Sequence, residues 1–401
     1  MTNRRLLFVD DETNILSGLK RMLRPFSNEW EVDVATSGEE ALKKLEASKF
    51  DCIITDMRMP GMSGAALLSK VHDRFPGVAR FVLSGHADSG PIMQAVPVTH
   101  QFMSKPIAAD KLVEAMRRAC ALHDLVGDEK LRTLLGKIAS LPARPEVFSE
   151  LTNILSDENA STDDIARVVE KDIAISTKLL QVVNSAFFGL AQNMSKVKDA
   201  VAYLGVAMIK SLVLSQEMFK VFDNKVTIPG YSIDADYRIS THTARIAKTL
   251  LKGRQTSDDA FMAGILYRSG RLIMAQHMPE QLKALIGFED EGKLTIQTEQ
   301  EVAGAPVAHI AAYLLGLWGL PYPVVEAVAH YQAPWKVPHE GMQVLDAIYI
   351  ASVFAECKVT DYESATIKDF VFNEDYLKQL AVYSKLPEWL VTAKELRGQG
   401  Q

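Results

Sequence analysis

Five side chains in the first part of the sequence have the types that phosphoryl transfer needs: Asp10, Asp11, Asp56, Ser84 and Lys105. Carboxylates that lie close together repel one another unless a cation joins them, and a set of oxygen ligands suits Mg²⁺. An aspartate can also attack phosphorus and accept the phosphoryl group. A hydroxyl and an ammonium beside it can hold the phosphoryl oxygens. These residue types predict a magnesium-dependent phosphoacceptor site.

A parallel sheet would bring these residues together. Five apolar runs of strand length alternate with helical stretches: RRLLFV, EVDVA, DCIIT, RFVLS and HQFM. This alternation indicates an α/β doubly wound sheet of five parallel strands, covered by helices on both faces. Ligands bind such sheets at the carboxyl ends of the strands, where all five residues fall. Helix capping is the alternative role for each acid, but five such residues in this order favour one site.

The motifs in residues 4–122 resemble those of a known family. The pair DD, the run DMRMPGMSG and the runs LSGHAD and SKP together resemble the receiver domain of bacterial two-component response regulators. The resemblance implies a flavodoxin-like receiver in which a sensor histidine kinase phosphorylates Asp56. It implies that Mg²⁺ is bound by Asp10 (through water), Asp11, Asp56 and the backbone carbonyl of Arg58. It further implies that Ser84 and Lys105 contact the phosphoryl oxygens.

Two positions depart from the family pattern. Phe102 stands at the switch position of the fifth strand, where the family often has Tyr, so the ring can turn inward but carries no hydroxyl. We expect Phe102 to report phosphorylation to the surface next to the linker. The fourth helix falls between Pro91 and Pro97, which leaves room for about one and a half turns. The dimer geometry of the family is therefore not carried over.

A second, larger domain follows the receiver. From about Leu131 onward the strand signal ends and helical periodicity predicts an all-α fold. The predicted domains are a receiver at 1–122, a helical linker at 123–136 and an all-α output domain with a C-terminal helical extension at 137–401.

A seven-residue repeat runs into the linker. The repeat consists of Leu112, Ala119 and Val126, with Ala115 and Leu122 between them. Two interpretations are open: a coiled-coil seam that makes a homodimer through the linker helix, or one helix that packs on its own domain.

The second domain also resembles a known family. The runs KDIAISTKLLQVVNSAFFG, AVAYLG, HTARIAK, AFMAGILYRSGRL and EVAGAPVAHIAAYLLGLWGLP follow one another within residues 131–335. Their order resembles the HDOD domain, a relative of the HD metal-dependent phosphohydrolases. In catalytic HD proteins a metal-binding His-Asp pair stands where this chain has Tyr267 and Arg268. A guanidinium offers no lone pair to a metal, and a neutral phenol is a poor ligand. We therefore expect no metal and no catalysis in this domain.

Three histidines keep the places that the HD family gives to histidines: His242, His309 and His330. With Tyr267 and Arg268 they form the five positions of a degenerate HD cleft, called the HD positions below. One interpretation makes the histidines ligands of a metal or a small effector, and the other makes them hydrogen-bonded core residues.

Composition and charge limit the classes of function that the chain can have. The net charge of −6 arises after residue 125, because residues 1–125 hold 16 basic and 16 acidic side chains. No basic block indicates nucleic-acid binding, and no apolar run approaches the ~20 residues that span a membrane. Cys52, Cys120 and Cys357 lie far apart, which is typical of reduced thiols in the cytoplasm.

The sequence thus favours a phosphorylation-controlled response regulator with a non-catalytic, protein-binding output. The expected partners are a sensor histidine kinase and a downstream signalling protein, for which an enzyme of cyclic-dinucleotide turnover is one candidate. Two alternatives stay open: a metal-dependent phosphohydrolase of cyclic (di)nucleotides and a DNA-binding transcriptional regulator.

Overall fold

A computed structural model places most of the chain. It describes residues 4–84, 98–105, 107–138, 141, 145–155, 157, 160–184, 194–214, 228–254, 256–357 and 362–398. The helix expected between Pro91 and Pro97 lies outside these residues, as do the side chains of Ser84 and Phe102.

The first part of the chain forms the predicted five-stranded parallel sheet. Its strands are β1 (Arg4–Val9), β2 (Trp30–Ala35), β3 (Cys52–Asp56), β4 (Ala79–Ser84) and β5 (Gln101–Ser104). Their order in the sheet is β2-β1-β3-β4-β5, and each neighbouring pair is parallel. Every residue of β3 is buried, because helices cover both faces.

Four helices flank the sheet: α1 (Thr13–Leu23), α2 (Gly38–Ala47), α3 (Gly64–Arg74) and α4 (Ala109–Leu125). Serine side chains cap the N-termini of α2 and α3. The Ser37 hydroxyl accepts a hydrogen bond from Glu40 N, and the Ser63 hydroxyl accepts one from Ala66 N. The predicted linker comprises the last turn of α4 and the short α5 (Glu129–Leu135).

The rest of the described chain is helical, as predicted. Its first helices are α6 (Pro145–Ile154), α7 (Thr162–Val169), α8 (Ile173–Val183), α9 (Val197–Leu214) and α10 (Ile233–Leu250). They are followed by α11 (Ser257–Leu266), α12 (Ser269–His277), α13 (Pro279–Asp290), α14 (Ile296–Ala303) and α15 (Val307–Leu317). The last are α16 (Tyr322–His330), α17 (Val344–Ala355), α18 (Glu374–Gln379) and α19 (Leu386–Gly398). None of the described helices is long and apolar enough to cross a bilayer.

The seven-residue repeat on α4 is covered by the same chain. Leu112, Ala119, Leu122 and Val126 are buried, and Ala115 is half-buried. The interpretation as one helix packing on its own chain is therefore the one that the structure supports. A homodimer through the linker helix stays a prediction.

Candidate functional site

The sheet brings three of the predicted site residues together. Asp10 follows the last residue of β1, Asp56 is the last residue of β3, and Lys105 follows β5. Since the strands are parallel, all three lie at the carboxyl edge of the sheet. Asp10 and Asp56 are 2% and 9% exposed, so their charges need partners.

An ammonium group joins the two buried carboxylates. Lys105 Nζ donates to Asp10 Oδ2 at 2.7 Å and also to Asp56 Oδ1. Backbone amides bind the other oxygens, with Glu12 N 2.9 Å from Asp10 Oδ1 and Arg58 N 2.6 Å from Asp56 Oδ2. Burial opposes the charge of Lys105, but the hydrogen bonds to both carboxylates outweigh it and raise the pKa of Lys105. The ammonium therefore stays charged at neutral pH.

The remaining predicted residues lie around this pair. Asp11 is exposed beside Asp10, and the backbone of Ser84 ends β4, the strand next to β5. Oxygen donors of this kind fit Mg²⁺. In the part of the chain that the structure describes, however, no three His, Cys, Asp or Glu side chains form a ready metal cluster. Lys105 stands between Asp10 and Asp56 instead.

Gly64 is a site residue that the sequence analysis left without a role. It begins α3, and a Cβ at this position would overlap the carbonyl oxygen of Asp56. Only glycine lets the helix start so close to the phosphoacceptor strand. The motif DMRMPGMSG contains this glycine, but the close approach is visible only in three dimensions.

Tyr267 and Arg268 lie at the junction of α11 and α12 and bind two acids distant in sequence, Asp236 of α10 and Glu356 just after α17. Arg268 donates to Asp236 Oδ1 through Nε at 2.7 Å and to Glu356 Oε1 at 2.8 Å. The Tyr267 hydroxyl donates to Glu356 Oε1 at 2.8 Å. The Thr243 hydroxyl donates to the Tyr267 hydroxyl oxygen at 3.2 Å. Burial raises the pKa of Tyr267 well above the ordinary value, so the phenol stays neutral. A fixed guanidinium and a neutral phenol thus occupy these two HD positions.

Within the residues that the structure describes, the three histidines belong to no group of three His, Cys, Asp or Glu side chains that could hold a metal. The rings of His309 and His330 are 5.8 Å apart, whereas the ring of His242 lies 6.4 Å from that of Tyr362. His309 Nδ1 is 3.2 Å from the carbonyl oxygen of Leu125. Burial lowers the pKa of all three, that of His242 to about 4, so they are neutral at pH 7. The described contacts support the core-residue interpretation for His309, while His242 Nε2 is buried with no described hydrogen-bond partner.

Each of the two parts of the chain matches a known domain family. Residues 6–117 match the response regulator receiver domain, and residues 141–334 match the HDOD domain. The chain contains a response regulator receiver domain followed by an HDOD domain. The predicted order of a receiver followed by an HDOD domain is confirmed, whereas the exact boundaries 1–122, 123–136 and 137–401 stay predictions.

Known proteins resemble parts of this receiver–HDOD protein. It is 35% identical over 125 residues to the hydrogenase transcriptional regulatory protein HoxA of Cupriavidus necator, which is 31% of this chain and 25% of HoxA. It is 24% identical over 226 residues to an uncharacterized protein of Treponema pallidum, which is 55% of this chain and 43% of that protein. The chain thus spans less than half the length of these two relatives. The crystal structure of the MmoQ response regulator from Methylococcus capsulatus is 20% identical and covers 60% of this chain and 98% of its own, with a TM-score of 0.49.

Proposed function

We propose that Asp56 accepts a phosphoryl group from a sensor histidine kinase and that this modification controls the HDOD domain as a non-catalytic, protein-binding output. The observation that carries the proposal is the contact of one ammonium, Lys105, with the buried carboxylates of Asp10 and Asp56. That arrangement lies at the carboxyl edge of the sheet, in the part of the chain that matches the receiver family.

The chemistry needs few groups. A carboxylate oxygen of Asp56 bonds to phosphorus as the bond from phosphorus to the kinase histidine breaks, and the electron pair stays on that histidine. Lys105 and Ser84 would hold the phosphoryl oxygens. Mg²⁺ would be held by Asp10, Asp11, Asp56 and the Arg58 carbonyl, and it would offset the negative charge of these oxygens.

We further propose that the HDOD domain is not an enzyme and binds no metal. Arg268 has no lone pair for a cation and is held by ion pairs with Asp236 and Glu356. The output is then binding of a downstream signalling protein, for which an enzyme of cyclic-dinucleotide turnover is the candidate class. The free thiols of Cys52, Cys120 and Cys357 support a cytoplasmic location. Neither nucleic acid nor membrane is a proposed partner.

Labelling with a small phosphodonor tests the phosphoacceptor. The full chain is incubated with radioactive acetyl phosphate and Mg²⁺, and the acyl phosphate is quantified with the wild type and Asp56→Asn. The variant is expected to take up no label while keeping the wild-type circular dichroism spectrum. Asp73→Asn is the matched control, because its side chain is 71% exposed and belongs to α3. Label retained by Asp56→Asn would place the phosphoacceptor elsewhere.

A further inference from the structure

The receiver packs directly on one helix of the HDOD domain. Leu122 of α4 lies against Gly316 of α15, and the Leu125 carbonyl, one turn further along α4, faces His309 at the other end of α15. The two helices therefore run in opposite directions along their contact. Strand β5 joins the same contact through Gln101. We call this contact the α4–α15 joint.

Two glycines shape α15 and its end to fit the receiver. A Cβ on Gly316 would lie 2.5 and 2.7 Å from the two methyl carbons of Leu122, which is closer than non-bonded carbon atoms approach one another. Gly319 has a φ of +76°, and a Cβ there would lie 3.2 Å from Cγ of Gln101. Both positions thus leave room for a receiver side chain where any other residue would intrude.

Each domain also satisfies polar groups of the other. Gln101 Nε2 donates to the carbonyl oxygen of Gly316 at 3.0 Å, in the last turn of α15. His309 Nδ1 lies 3.2 Å from the carbonyl oxygen of Leu125, the last residue of α4. The Gly316 carbonyl also accepts a hydrogen bond from Gly319 N at 3.0 Å, so the bond from Gln101 is its second. The joint therefore combines close packing with directed hydrogen bonds, which a chance contact would not supply.

Strand β5 links this joint to the phosphoacceptor site. Gln101 begins the strand and Lys105 follows its end, so about 13 Å of extended chain separates them. β5 is the last strand in the sheet and pairs only with β4, which lets it shift more easily than a central strand. At its far end, Lys105 holds Asp10 and Asp56.

We propose that α15 is the docking surface for the receiver of the same chain before phosphorylation, and that Gln101 is the positioning residue that couples Asp56 to it. This inference rests on the proposed function of Asp56. A phosphoryl group on Asp56 separates that carboxylate from Lys105, which then follows the new oxygens. The movement shifts β5, breaks the hydrogen bond from Gln101 to Gly316 and opens the joint.

Opening the joint would change the HDOD domain at two places. It uncovers the face of α15 that now contacts α4. It also removes the Leu125 carbonyl from His309, whose ring lies 5.8 Å from that of His330. Phosphorylation of Asp56 would thus change the surroundings of two HD positions, His309 and His330, without a metal or a substrate.

Hydrogen exchange of the full chain tests the joint. Exchange is measured by mass spectrometry in peptides from α15, with and without Mg²⁺ and beryllium fluoride as a phosphoryl mimic, while ¹⁹F NMR reports bound mimic. The mimic is expected to speed exchange in α15 by about tenfold or more, as local opening requires. Gln101→Ala and the wedge variant Gly316→Val are expected to show fast exchange without the mimic. Gly287→Ala is the control, because a Cβ at that helical position meets no atom within 4 Å.

The outcomes separate this inference from the function on which it rests. No ¹⁹F signal for bound mimic would refute the phosphoacceptor function itself. Bound mimic with unchanged exchange in α15 would leave that function standing and overturn the joint as its target. Wild-type exchange in Gly316→Val would show that the joint is not closed in solution. If α15 of Gln101→Ala exchanged as slowly as that of the wild type without the mimic, and this variant still bound the mimic, the role of Gln101 would be overturned.

Discussion

Removing the guanidinium of Arg268 tests whether it holds the HDOD core in place of a metal. Arg268 and Asp236 form an ion pair whose side chains are only 12% and 9% exposed. Arg268→Ala would leave the Asp236 carboxylate buried without its main partner. Breaking a buried ion pair in this way costs about 3–5 kcal/mol.

Two neighbours refine this magnitude. Arg271 Nε is 3.5 Å from Asp236 Oδ2 and keeps part of the charge compensated, which favours the lower end of the range. Glu356 is 37% exposed, so its separate pair with Arg268 adds at most about 1 kcal/mol. We expect Arg268→Ala to lower the free energy of unfolding of the HDOD domain by about 3 kcal/mol.

Urea unfolding followed by tryptophan fluorescence measures the loss. Three of the four tryptophans, Trp318, Trp335 and Trp389, lie in the second part of the chain, so the signal reports mainly on it. Lys248→Ala is the control, because its ion pair with Asp258 is exposed and its loss should cost less than about 1 kcal/mol. If Arg268→Ala cost no more than this control, the guanidinium would not be a structural cation.

Three further predictions concern the same domain. Stability should fall as pH drops from about 6.5 to about 4, because burial lowers the pKa of His242 and the unfolded chain then binds a proton that the folded chain does not. In His242→Gln the urea midpoint of unfolding should change less with pH over that window. Gly264→Val should cost at least about 1–3 kcal/mol, since a Cβ there overlaps Ala244 of α10, whereas Gly287→Ala should not destabilise the chain in the same thermal scan. Restoring His and Asp at Tyr267 and Arg268 should give no hydrolysis of a cyclic dinucleotide with Mn²⁺, because the remaining histidines belong to no described group of three side chains that could hold a metal. Measurable turnover would show that a metal site can still assemble.

Much of the receiver could be predicted from the sequence because its signals are local. Each strand is a short apolar run, and each site residue follows the end of its strand, so parallel pairing alone brings Asp10, Asp56 and Lys105 to one edge. The sequence could not show that Lys105 bonds both carboxylates, because that depends on side-chain conformation. It also gave no sign that Gly64 lets α3 approach Asp56.

The HDOD domain was predictable as a class of fold but not in its contacts. Tyr267 and Arg268 depart from a metal-binding pair, yet their acidic partners are Asp236 of α10 and Glu356, which follows α17, 32 and 88 residues away from Arg268. No periodicity reports such distant pairing. The repeat on α4 was ambiguous for the same reason, since burial by the sheet and α15 looks identical in sequence to burial by a second copy.

Arg80 is a further residue that no local pattern could place. It is 2% exposed in β4, and it donates to backbone carbonyls that include those of Val98 and of Gly136, the last residue of the predicted linker. The structure describes no carboxylate hydrogen-bonded to this guanidinium. One of these carbonyls, that of Gly136, reaches the guanidinium only once the linker folds against the sheet.

We propose that phosphorylation of Asp56 controls what the HDOD domain binds. The most direct test is affinity capture from native lysate by the wild type and Asp56→Asn, each with and without Mg²⁺ and beryllium fluoride. We predict a protein that the wild type retains in only one of the two conditions, and that Asp56→Asn retains equally in both. If the wild type retained the same proteins with and without the mimic, the receiver would not control the output of the HDOD domain.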